Sequence, residues 1–160
     1  MHLAQLNVGR LRAPIDDPRS GEFVANLEPI NALAEASPGY VWRLKDASGD
    51  ATHIRAFEDE LMIVNLTVWA SIEALADFVF RTGHVEFLRR RKEWFETAGE
   101  PTTCLWWIPE GELPSVPDAI ARLEHLRTHG PTPVSFTFRT RFDPGGEVAQ
   151  RGAARDACPA

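Results

Sequence analysis

Apolar and polar positions alternate from Leu3 to Val8 in the manner of a β-strand, and the stretch that follows to Gly21, with Pro14, Asp16, Asp17 and Pro18, is rich in turn formers. From Glu22 the period changes: Phe23, Leu27, Ile30 and Ala34 recur at helical spacing, and Ser37-Pro38-Gly39 supplies a stop. Pro29 inside this pattern removes one backbone hydrogen bond, so a kink or a late helix start is expected. Tyr40 to Lys45 reads as a second strand, residues 46–59 as a polar connection, and Leu61 to Trp69 as a third strand, rich in β-branched residues and antiparallel to the second. Ser71 is placed to cap a helix with Ile72, Leu75, Ala76, Val79 and Phe80 on one face, ending near Gly83. A second helical stretch runs from His84 to about Phe95, Thr102 to Ile108 is a fourth strand, Pro117 to His129 a further helix, and Ser135 to Arg139 a short extended piece.

This order is the split βαβ pattern, which builds a four-stranded antiparallel sheet with helices on one face. The predicted class is therefore α+β, ferredoxin-like. From Pro144 onward apolar periodicity is lost, giving a domain over residues 1–143 and a disordered tail over residues 144–160.

Parity then divides each strand into two faces. In the third strand Met62, Val64, Leu66 and Val68 form an apolar face suited to packing against helices, and Leu61, Ile63, Asn65, Thr67 and Trp69 form the other. The first strand divides likewise, with Gln5 and Asn7 opposite its apolar side. A mixed sheet face is either solvated or a pocket wall. Leu3, Leu61, Ile63 and Trp69, together with one of Trp106 and Trp107, would leave a large apolar area in water, which favours cover by a ligand or a second subunit.

Composition narrows the function classes. At 160 residues, 44% hydrophobic and 25% charged, the chain suits one soluble domain. With 17 basic against 23 acidic residues it carries a net charge of −6, which disfavours nucleic acid and anionic membranes as partners. No run resembles a signal peptide or a membrane span, so a cytoplasmic location is expected. Cys104 and Cys158 do not form a metal or disulfide pattern.

The break Arg81-Thr82-Gly83-His84 sets His84 at a helix N-terminus, where exposed N–H groups disfavour the imidazolium. A neutral imidazole accepts a proton. His84, Leu88, Arg91 and Phe95 share one side of that helix, flanked by Phe87 and Trp94. Arg89-Arg90-Arg91-Lys92 cannot face one way, so at most one of these arginines, taken as Arg91, turns to an acidic ligand. His125 and His129 have a zinc-compatible spacing beside Glu124 but lack a third ligand, so no metal is assigned. No nucleotide, serine-hydrolase or zincin motif occurs.

The segments Leu3-Ala4-Gln5-Leu6-Asn7-Val8-Gly9-Arg10, Gly39-Tyr40-Val41-Trp42-Arg43, Val64-Asn65-Leu66-Thr67-Val68-Trp69, His84-Val85-Glu86-Phe87-Leu88-Arg89-Arg90-Arg91 and Leu105-Trp106-Trp107-Ile108-Pro109 resemble the bacterial domain-of-unknown-function family numbered 3291. The resemblance implies a place in the dimeric α/β-barrel superfamily, beside antibiotic-biosynthesis and haem-degrading monooxygenases. It implies a homodimer and cofactor-independent oxygenation, isomerisation or cyclisation of a small hydrophobic molecule. In the haem-degrading relatives an Asn, a Trp and a His form the working set, at positions matched by Asn7, Trp69 and His84, although here a whole helix separates the last two.

Three functions follow. In the first, an enzyme, His84 is the general base, Asn7 and Asn65 hold a developing oxyanion, and Trp42, Thr67, Trp69, Arg91 and Trp94 contact an aromatic or polyketide-like substrate. The others are a non-catalytic small-ligand binding module and a haem-binding or haem-degrading protein with His84 as axial ligand.

Overall fold

In a computed structural model that describes residues 1–151, the long strand β1 (His2–Arg10) forms the middle of the sheet. It pairs antiparallel with β3 (Met62–Trp69) on one side and β4 (Thr103–Ile108) on the other, and β2 (Tyr40–Arg43) joins the free edge of β3. The sheet order β2-β3-β1-β4 is that of two interleaved βαβ halves, the ferredoxin-like fold. At the outer edge of β4, Phe136 and Leu105 exchange two backbone hydrogen bonds of 2.8 Å, so the extended piece expected near Ser135 blunts that edge.

The helices are α1 (Gly21–Glu35), α2 (Ile72–Arg81), α3 (His84–Arg90) and α4 (Val116–His129). α1 continues through Pro29, whose ring is on the exposed side. Ser71 caps α2 as predicted, its Oγ accepting the Ala74 N–H at 3.1 Å. α3 is shorter than predicted and passes into a 3-10 turn at Arg91–Glu93. Gly39, at φ 81°, turns the chain from α1 into β2 so closely under α2 that a Cβ there would lie 2.6 Å from the Ala74 Cβ.

Both sheet faces are covered by the chain itself. Ala4, Leu6, Val64, Leu66, Val68 and Trp106 pack beneath Ala119, Leu123 and Leu126 of α4. Leu44, Ile54 and Phe57 of the β2–β3 connection complete that layer. α1, α2 and α3 lie over the opposite, mixed face, where Leu3, Trp69 and Leu105 meet Ala34, Leu75, Phe78 and Val79. This corrects the expected faces. The wholly apolar face receives the appended helix, whereas the mixed face carries the two core helices and is not open. A sheet-to-sheet dimer would use the α4 face, where Leu6, Leu66 and Trp106 are already 0% exposed.

The start of the expected disordered tail is also corrected. Asp143 holds a turn through backbone bonds with Gly146 and Glu147 of 3.0 and 2.9 Å, and Gly146 supplies φ 86°. β5 (Thr140–Phe142) and β6 (Val148–Arg151) therefore pair as a hairpin. The remainder, residues 152–160, lies outside the described residues, Cys158 included. Among the described residues no helix is long and apolar enough to cross a membrane.

Candidate ligand cavity

β1 and β3 place residues of like parity side by side: Asn7 opposite Asn65, Gln5 opposite Thr67 and Leu3 opposite Trp69. The first two pairs form the polar floor of a cavity of about 130 Å³ roofed by α1 and α3. This is several times the space one water needs. α1 contributes Phe23, Leu27 and Ile30, and the region from α3 to Phe95 contributes His84, Phe87, Leu88, Arg91 and Phe95. The predicted shared side of His84, Leu88, Arg91 and Phe95 thus all lines one space, and Arg91 is the arginine that does so. Its neighbours turn outward. Arg89 pairs with Glu86, and Arg90 grips Glu22 and Glu93.

Gln5, Asn7 and Thr67 are buried, and buried polar groups must be hydrogen-bonded. One chain of bonds organises the floor. Trp69 Nε1 donates to Thr67 Oγ1 at 3.0 Å, and Thr67 Oγ1 donates to Gln5 Oε1 at 2.9 Å. Asn65, by contrast, is exposed, so its amide is open to an incoming molecule.

His84 is set by the α2–α3 junction. Thr82 Oγ1 bonds back to the Phe78 carbonyl and accepts the His84 N–H at 3.3 Å. The ring lies between Phe78 and Phe87, with centroid separations of 4.8 and 6.2 Å. Its Nδ1 meets the Val79 carbonyl at 3.4 Å. A carbonyl only accepts, so Nδ1 carries the hydrogen and Nε2 keeps its lone pair. Burial pushes the imidazole down to about 4, partly opposed by the Val79 bond. The expected neutral form is found, but burial among aromatic rings produces it.

The three tryptophans assigned to the wall do not line the cavity. Trp69 is 0% exposed, stacked on Phe78 at 5.1 Å and edge-on to Tyr40 at 5.6 Å, because α2 folds back over the end of β3. Trp42 pairs with Val68 and packs on the α4 side. Trp94 is buried behind Phe87, its ring 5.0 Å away, with the Arg90 guanidinium 5.1 Å above it. Of the three positions matched to the haem-degrading relatives, Asn7 and His84 line the cavity and Trp69 lies outside it. His125 and His129 are engaged locally, with Thr132 Oγ1 at 2.9 Å and the His125 carbonyl at 3.1 Å respectively. Among the described residues no three His, Cys, Asp or Glu side chains could hold a metal.

Other lining residues went unrecognised in the sequence: Asn26, Asn31, Arg43, Asp50 and Thr52. Asn26 and Asn31 flank the apolar stripe of α1 at helical spacing, a signal that could have revealed them. Asp50 and Thr52 sit in an aperiodic connection, where Asp50 Oδ1 accepts the Thr52 N–H at 2.8 Å and its hydroxyl at 2.6 Å. Arg43 reaches this face because of a bulge between Tyr40 and Trp42.

The family model described as Domain of unknown function (DUF3291) matches residues 2–152. No curated protein was found to match the sequence. Among solved structures, SnoaB, a cofactor-independent oxygenase from Streptomyces nogalater, aligns at 15% identity and a TM-score of 0.46, over 71% of this chain and 98% of that one. The NE2512 protein of unknown function from Nitrosomonas europaea aligns at 12% identity and a TM-score of 0.46, over 71% and 95% of the two chains.

Proposed function

This chain belongs to the DUF3291 family, and because that description names no reaction we propose one from its own cavity. The protein is a small-molecule enzyme of the monooxygenase, isomerase or cyclase kind, working without a cofactor on a hydrophobic aromatic or polyketide-like substrate, with His84 as general base. The observation that carries this reading is the neutral imidazole itself, tethered through Nδ1 to Val79 on the wall of a cavity floored by Asn7 and Asn65. An acidic C–H or O–H of the substrate gives its proton to Nε2. The electron pair left behind spreads onto an adjacent oxygen, which the amide N–H groups of Asn7 and Asn65 hold. Return of the proton to a different atom completes an isomerisation, and attack of the carbanion within the substrate gives cyclisation. With dioxygen as co-substrate, the carbanion gives it electrons and forms a C–O bond, and the resulting hydroperoxide, protonated on its outer oxygen, loses water to leave a carbonyl.

An imidazole held at about 4 is a weak base, so the substrate proton must itself be acidic, as in a phenol or a 1,3-dicarbonyl compound. The same low basicity favours a second reading, a binding module in which His84 only accepts a hydrogen bond. The lining residues used in both readings come from one chain.

Native mass spectrometry of the purified protein identifies the molecule it carries, and that compound is then incubated with wild type and His84→Gln. Product formation that falls about 10²- to 10⁴-fold in the variant supports the enzyme. Equal turnover by both proteins refutes the base assignment, and saturable binding without product favours the binding module.

A further inference from the structure

Arg43 is nine-tenths buried, its side chain 10% exposed, yet its ion pairing is one-sided. Its Nε donates to Glu35 Oε1 at 2.9 Å, and Glu35 is 43% exposed on the outer side of α1. Among the described residues no acceptor engages Nη1 or Nη2. A guanidinium presents five N–H groups in a rigid fork, and the two Nη groups are not sealed from solvent, so an acceptor entering from the cavity can meet them. Arg43 lies on the cavity wall, directly across the β2–β3 ladder from Thr67 of the polar floor.

We propose that Arg43 is the anion-recognition residue of this cavity, and that its ligand is a small, largely apolar acid whose carboxylate meets the two Nη groups side by side. The inference rests on the reading of this cavity as a ligand site and adds the chemical class of the ligand. Three features converge on it. A paired arrangement of N–H donors matches the two oxygens of a carboxylate. The one carboxylate of the lining, Asp50, is engaged with Thr52 through Oδ1, and Arg43 has its carboxylate partner, Glu35, at Nε alone. Across the cavity, Phe23, Leu27 and Ile30 of α1 and Phe87 and Leu88 of α3 offer an apolar surface for the body of the acid.

Titration calorimetry tests this with benzoate, trans-cinnamate and 2-naphthoate, each against its neutral primary amide. The expected result is that at least one acid binds wild type about 10- to 100-fold more tightly than its amide, the worth of a charge-assisted hydrogen bond. Arg43→Met should abolish that preference, the acid losing far more affinity than the amide, whereas Glu35→Gln, which removes only the outer partner, should retain it. Where Arg43→Met fails to fold, Arg43→Lys is read instead. A preference that shrinks supports the proposal, since an ammonium lacks the fork, and an undiminished one overturns it. Equal affinity for acid and amide in wild type also overturns the anion role, with the cavity left standing as a ligand site. Binding of none of these compounds overturns both.

Discussion

Replacing His84 with Gln removes a titrating ring, and the consequence for stability can be worked out with its sign. Burial holds the folded imidazole near 4 against an ordinary value of 6.5. As pH falls through 6.5 the unfolded chain takes up a proton that the folded chain refuses, so the unfolded state binds more protons throughout this window. Stability contributed by the neutral ring is therefore fully present above 6.5, declines as pH falls, and stops declining below about 4. A shift from 6.5 to about 4 corresponds to about 3 kcal/mol in full, of which about 2 kcal/mol is lost between pH 7 and about pH 4.5. Urea unfolding of both proteins at the two pH values measures it. Asp17, Asp46, Asp59, Glu22 and Glu93, held low chiefly by hydrogen bonds, also weaken the fold in acid. They are common to both proteins and cancel in the comparison. Wild type should lose about 2 kcal/mol more than His84→Gln. Equal losses would refute the buried, neutral imidazole.

Thr67→Val strands the buried Trp69 indole N–H at about 1–3 kcal/mol, and a chemical denaturation curve should register the loss. Gly39→Ala sets a Cβ against Ala74 in a backbone region that costs other residues about 1–2 kcal/mol, so the melting temperature should drop well beyond that of an exposed control such as Gly99→Ala. Burial pushes the Cys104 thiol up to about 12, and in the folded protein near pH 8 it should resist iodoacetamide, becoming labelled only on unfolding.

The alternation of Met62, Val64, Leu66 and Val68 with Ile63, Asn65, Thr67 and Trp69 made the two sheet faces legible, and the ladder follows that parity. Parity does not say which face the helices choose, because α1 and α2 could have packed on either. It also gives a face without a depth. Trp69 is on the mixed face as read, but α2 closes over it, whereas Asn65 four residues earlier stays open. The helical spacing of His84, Leu88, Arg91 and Phe95 carried through to the cavity because those positions depend only on the local period. Arg43 was hidden by a bulge, which adds a residue to one strand and flips every side chain beyond it.

Deuterium exchange into a carbon acid tests the central assignment most directly. Benzoylacetone carries an acidic methylene between two ketone carbonyl groups and an aromatic body, and its exchange in D₂O is followed by proton NMR. Wild type should accelerate loss of the methylene signal above the buffer rate, and His84→Gln, folded and with its cavity intact, should lower that acceleration about 10²- to 10⁴-fold. Acceleration by the variant equal to that of wild type would contradict His84 as the base.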